Sequence, residues 1–253
     1  MVERIAETDD ELIVKLLEDQ EITKQEIKAA LRKATIAYKL VPVVCGSALR
    51  SKGVHSLLDA VGDYLPSPLD VPPAKGKDME TGEEITREAS LDAPFAALAF
   101  KAMIDPFIGR LVYFRVYSGK AKTGDFILNT TTGKRERLGR IVQLHAQRRE
   151  EIDEVNVGDI AAIVGAREAT TGDTLCSPDA PIVLDHITFP DPVMSLAIEP
   201  KTREDQEKLS EVLRKLADED PTLIVNYDDE TAQTVLSGMG ELHLEIILNR
   251  MKR

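Results

Sequence analysis

Along residues 9–40 the apolar side chains recur at helical spacing. In DDELIVKLLEDQ, Leu12, Leu16 and Leu17 fall on one stripe, and Thr23 followed by Glu26 is a capping box ahead of KQEIKAALRKATIAYK, so two helices are predicted. LVPVVCGSAL then forms a continuous apolar run of strand length, and GVHSLLDAVGDYL returns to helical spacing through Val54, Leu57, Leu58, Val61 and Leu65. Helix, buried strand, loop, helix is the order of α/β architecture with a parallel sheet. A lone strand cannot make a sheet, so residues 1–65 read as the tail end of an α/β domain.

The pattern changes at Pro66. PSPLDVPPAKGKDMETGEE is polar and rich in proline, and residues 66–91 read as a linker. Beyond it, FAALAFKAMI, GRLVYFRVYSG, DFILNTTTGKRERLGRIVQLHA and GDIAAIVG are short strand-like segments separated by glycine turns. Such spacing predicts a small antiparallel barrel or sandwich over 92–188. FPDPV opens a third unit, 189–253. There VMSLAIEP reads as a strand. Thr202 with Asp205 caps a helix carrying Leu209, Val212, Leu213 and Leu216, and Lys201 and Arg203 stand where helix-start donors favour anions. TLIVNY and TAQTVLSGM make a hairpin around DDE, and GELHLEIILNRMK is a second helix. The order βαββα is the ferredoxin-like split motif short of its last strand. On this reading the chain is multidomain α+β and cut at both ends, and the open strand edge predicts a mobile third domain or an edge-paired dimer.

Composition removes some functions. No apolar run reaches the roughly 18 residues a membrane span needs, and the acidic start MVERIAETDDELIVKLLEDQE lacks a signal-peptide core. Cys45 and Cys176 lie far apart, outside any C-x-x-C pattern, which suits a reducing cytoplasm. The net charge of -12 by itself disfavours nucleic acid. Its distribution points the other way: residues 95–150 hold eleven Lys/Arg against four Asp/Glu, a local net of +7. That asymmetry predicts one phosphate-facing surface on an otherwise acidic molecule. Its centre is GKRERLGRIVQLHAQRR, with Lys134, Arg135, Arg137, Arg140, Arg148 and Arg149. Residues two apart on a strand share a face, so Arg135 and Arg137 project together, and arginine forks suit phosphate oxygens. The run has few aromatics, which argues for backbone contact over base stacking. Pairing of these arginines with acidic parts of the same chain is the rival reading; Arg110, Arg115, Lys120 and Lys122 either widen the patch or solvate its rim.

CGSAL (45–49), PSPLDVPP (66–73), AFKAMIDPFIGRLVYFRVYSG (99–119), GKRERLGRI (133–141), GDIAAIVGAREATTGDTLC (158–176), AIEPKTREDQEKLSEVLRKLADEDPT (197–222) and GMGELHLEII (238–247) occur in one order. Together they resemble bacterial elongation factor G, a translational GTPase, over residues 10–253. Ribosomal protection proteins and release factor 3 share the domain plan and are the alternative, as is a protein-only adaptor module. The resemblance implies the end of a GTPase domain, a translation-factor β-barrel and a ferredoxin-like third domain. It implies a parent that binds GTP/GDP and drives translocation on the ribosome, with the barrel against small-subunit RNA and protein. It also makes Ser47, Ala48 and Leu49 part of a guanine-contacting loop. No G-x-x-x-x-G-K-[ST] phosphate loop occurs in the sequence, no Asp-x-x-Gly switch stands in a matching position, and no Asn-Lys-x-Asp reads guanine. The chain itself is therefore expected to be no enzyme and to hold no bound nucleotide or metal.

GMGELHLE tests the competing idea of a metal or acid–base site. On a helix Glu241 and Glu245 share a face while His243, two residues on, points elsewhere, and His55, His145 and His186 lie in other segments. A zinc site needs ligands converging on one point. The reading here is a glycine-mediated passage from strand to helix, with Glu241 favoured in the first turn.

Overall fold

The structure, a computed structural model, describes residues 1–105, 107–146, 148–185, 187–200 and 203–252, with backbone alone for 203–207. It forms two units, Met1–Pro72 and Pro73–Arg253. The expected roles of Lys201 and Thr202, the position of His186, and the side-chain roles of Arg203 and Asp205 lie outside the described residues.

The first unit is helical: α1 (Val2–Ala6), α2 (Asp10–Leu17), α3 (Lys24–Ile36) and α4 (Val54–Tyr64). The capping box forms, since the Glu26 N–H donates to Thr23 Oγ1 and the Thr23 N–H donates 2.8 Å to the Glu26 carboxylate. A bond from the Lys15 ammonium, with the Thr23 N–H and hydroxyl, holds the Glu26 carboxyl down at about 2. Leu12 is buried with Ile5, Ala6 and Ala30, but Leu16 and Leu17 are exposed, so the predicted stripe narrows to Leu12. Residues 41–46 form no strand, and Val41 and Val43 are 82% and 89% exposed. With no neighbouring strand, an apolar run has no ladder to complete. Helix α4 forms as predicted yet fully buries none of its residues. Polar links tie it to α3: Lys28 to Asp63 at 2.5 Å and Arg32 to the Asp63 carbonyl at 3.0 Å.

Residues 66–91, read as a linker, cross from the first unit into the second and carry more than a linker. Strands β1 (Ala74–Lys77) and β2 (Glu84–Arg87) form a hairpin, closed by the Glu80 and Thr81 N–H groups donating to Asp78. The barrel runs through β3 (Ala96–Asp105), β4 (Gly109–Ser118), β5 (Lys120–Lys122), β6 (Phe126–Asn129), β7 (Lys134–Arg137), β8 (Ile141–His145), β9 (Arg148–Ile152), β10 (Glu154–Asn156), β11 (Ile160–Val164) and β12 (Thr174–Cys176). Strand β13 (Val183–Leu184) pairs back on β1. The main sheet has the order β7-β6-β12-β3-β4-β11-β8-β9, every pair antiparallel. Alternation along β4 sends Val112, Phe114 and Val116 into one core with Ile127, Leu138 and Leu175. Leu111 packs on the opposite face with Val142 and Ala162.

The third segment follows the predicted βαββα order: β14 (Met194–Ile198), α5 (Arg203–Glu219), β15 (Ile224–Asp228), β16 (Gln233–Gly238) and α6 (Glu241–Met251). Its sheet order is β14-β16-β15, which leaves β14 at an edge. Leu213 and Leu216 of α5 and Leu244 and Ile247 of α6 bury against Leu236. Period-3.6 spacing brings each helical pair to one face.

Candidate nucleic-acid interface

Five of the six candidate cations fall into two groups at opposite ends of the sheet order, and Arg140 lies between β7 and β8, its carbonyl accepting the Val164 N–H of β11. On β7, Glu136 stands opposite core residue Ile127, while Arg135 and Arg137 stand opposite Leu128 and Phe126. Opposed residues share a face in an antiparallel pair. Glu136 therefore turns inward, accepting the Arg167 N–H at 2.6 Å, and the two arginines turn outward together. Lys134 pairs with Glu168 at 2.7 Å, and Arg137 Nε donates to the Gly124 carbonyl at 3.1 Å. The side chains of Arg135 and Arg140 are exposed and make no hydrogen bond or ion pair among the described residues.

The second group sits on the β8–β9 hairpin, where Arg148 opposes His145 and Arg149 opposes Leu144. The Arg149 guanidinium pairs with the Asp105 carboxylate, and its Cζ lies 6.0 Å from the centre of the Phe107 ring. Asp105 also accepts the Phe107 N–H at 2.8 Å and the Ile108 N–H at 3.1 Å. The Phe107 N–H, with the Ile108 N–H and Arg149, holds the buried Asp105 carboxyl below its ordinary value. Arg148 is exposed and without a side-chain partner among the described residues.

The neighbouring cations resolve differently. Arg110 turns away from any external partner. Its Nε and Nη2 fork onto Asp218 of α5 at 2.5 and 2.8 Å, and its Nη1 donates to the Ala166 and Ala169 carbonyls at 2.8 and 2.7 Å. Beside it, Glu219 accepts the Ile104 N–H at 2.7 Å and Arg250 at 2.5 Å. This cluster joins the barrel to the third segment, and Asp218 and Glu219 are participants that a search for cations overlooks. Arg115 lies over the Tyr117 ring, and Lys122 pairs loosely with Glu154 at 3.4 Å.

At the loop of Ser47, Ala48 and Leu49 in the first unit, the Ser47 and Lys52 backbones exchange two 3.0 Å hydrogen bonds. The Ala48 and Leu49 N–H groups donate to nothing among the described residues, beside a cavity of about 270 Å³ that includes Cys45 and Lys52. A turn of this kind can offer paired backbone donors to a carbonyl-like acceptor.

His243, in the segment read as a strand-to-helix passage, reaches back from the first turn of α6 to the residue ahead of Gly240. Its Nδ1 accepts the Met239 N–H at 3.0 Å, so Nε2 carries the proton and donates 2.9 Å to Asp220. Burial pushes the Asp220 carboxyl up, but Thr222 and His243 outweigh it and hold it low. A Cβ on Gly238 would stand 2.8 Å from Leu244 Cδ2, and Gly240 has φ +155°, so each glycine answers a local demand for space or conformation. No group of three or more His, Cys, Asp or Glu is placed to hold a metal among the described residues.

The family described as Elongation factor Tu domain 2 matches residues 109–176, and the one described as Elongation Factor G, domain III matches residues 189–253. The chain is built from domains of the elongation factor G and Tu family. A crystal structure from Thermus thermophilus is similar across 99% of this chain, 32% identical, with a TM-score of 0.77. The chain spans 35% of that protein's length. The barrel and the βαββα segment are thus translation-factor domains, and full-length members of this family hydrolyse GTP. No described helix is long and apolar enough to cross a membrane.

Proposed function

We propose that this chain is a ribosome-binding, non-catalytic part of an elongation factor G translocase, working in the cytoplasm. The observation that carries the reading is three exposed barrel arginines, Arg135, Arg140 and Arg148, without side-chain partners among the described residues of an otherwise acidic family member. These cations contact the phosphate backbone of small-subunit ribosomal RNA. The Arg110–Asp218 and Ile104–Glu219 links couple barrel and third segment, so that a nucleotide-driven movement of one carries the other as part of a conformational switch. In the whole protein Ser47, Ala48 and Leu49 meet the guanine of GTP or GDP through backbone donors. The sequence offers no phosphate loop, so this chain alone does not hydrolyse the nucleotide.

The test is co-sedimentation with isolated small ribosomal subunits over a salt series, comparing wild type with the double variant Arg135→Glu, Arg140→Glu. Phosphate contacts release counterions, so binding should weaken with salt, and the variant's slope should be shallower by roughly 1–2 in log–log terms. Equal binding by both proteins at every salt concentration would remove the arginines from the interface.

A further inference from the structure

The arginine-rich segment 133–149 has no Phe, Tyr or Trp of its own, and read alone it argues for phosphate contact. Folding supplies what it lacks. Of the six phenylalanines, Phe95 and Phe114 are core, whereas Phe107 and Phe126 are 85% and 66% exposed, the most open among the described ones. Each stands beside one arginine group: Phe107 under the Arg149 guanidinium, and Phe126 opposite Arg137 in the β6–β7 register.

The Phe107 loop is built, since Asp105 takes two of its N–H groups and Arg149 closes the third side. A guanidinium lies on one side of this ring, and the ring is otherwise mostly open to solvent. That arrangement suits a planar base, because every base has a π-face and the neighbouring cation adds attraction. Asp105 is engaged by Arg149, Asp218 by Arg110, and Glu219 by Arg250 and the Ile104 N–H, whereas Glu150 and Glu151 of β9 are exposed and without side-chain partners among the described residues. The Arg148 side chain is exposed and has no partner among the described residues. We infer that Phe107 with Arg149, and Phe126 with Arg137, are stacking platforms for unpaired RNA bases, an inference that rests on the barrel's proposed RNA-facing role.

The probes are a fluorescein-labelled oligoadenylate of roughly eight nucleotides, within the usual site size, and an abasic strand of the same length, read by anisotropy at low salt. Phe107→Ala and Phe126→Ala should each weaken oligoadenylate binding about tenfold, the size of one lost stacked base, with the abasic strand unaffected. Phe107→Trp should restore affinity, and in a chain that has no other tryptophan its fluorescence should be quenched by the stacked base. Wild-type-like oligoadenylate binding by both alanine variants overturns the platforms, while salt-dependent binding of the abasic strand would leave the phosphate reading standing. If neither strand binds at any salt concentration, both fall. Loss of small-subunit co-sedimentation by Phe107→Ala, with oligoadenylate binding unchanged, would place a protein on the ring and also overturn the inference.

Discussion

Arg110 and Arg149 illustrate how little a residue's type says about its role. Both belong to the locally basic stretch, yet each is held inside the chain by a carboxylate. The Arg110 and Asp218 side chains are 18% and 29% exposed, so their link is better shielded than a surface pair. Arg110→Ala also strips two carbonyls of their donor and should cost on the order of 2–3 kcal/mol. Asp218→Ala leaves the guanidinium on those carbonyls and should cost about 1 kcal/mol. Urea denaturation of both variants measures this, and equal losses would contradict the argument. Asp105 makes a pH-dependent contribution. Its folded carboxyl titrates below its ordinary value of 3.8, so the unfolded chain binds that proton more readily. Its stabilisation is present above that value and disappears as pH falls through the lower folded value. The denaturation midpoints of wild type and Asp105→Asn should therefore differ at neutral pH and converge in strong acid. A gap that stays constant with pH would refute the linkage.

At the scale of elements, local signals were legible wherever the determining partners are close in sequence. The Thr23–Glu26 capping box, the strand of GRLVYFRVYSG and the βαββα order all formed as read. The failures have a common cause. Residues 41–46 have strand character but no described neighbour to pair with, and the β1–β2 hairpin hides in proline-rich composition while β13 completes its sheet. The edge strand β14 follows the same logic: it pairs with β16 alone, and Val193 and Met194 are exposed. An unpaired strand edge is a template for another chain. Light scattering should show concentration-dependent dimers that Met194→Lys suppresses. A monomer at every concentration, with full exchange protection over 193–199, would dismiss the edge contact.

Over the whole molecule the two units differ in how much apolar surface they hide. The barrel and third segment bury continuous cores, whereas α4 buries no residue fully and leaves Leu57, Leu58 and Val61 exposed. Local opening is easiest where few apolar contacts must break. Hydrogen exchange should be fast over 54–64 and slow over β3, β4 and β11. Equal protection in both would mean that α4 is covered in solution.

From the sequence alone came the domain texture, the family resemblance, the +7 stretch and the missing phosphate loop, because these depend on residue order and charge. Which cations remain available was decided only in three dimensions. Arg110 meets a carboxylate 108 residues away, Arg149 one 44 residues away, and Phe107 and Phe126 reach arginines that the chain order keeps apart. Periodicity records which way a side chain faces along its own strand or helix. It carries no record of which distant strand or helix stands opposite.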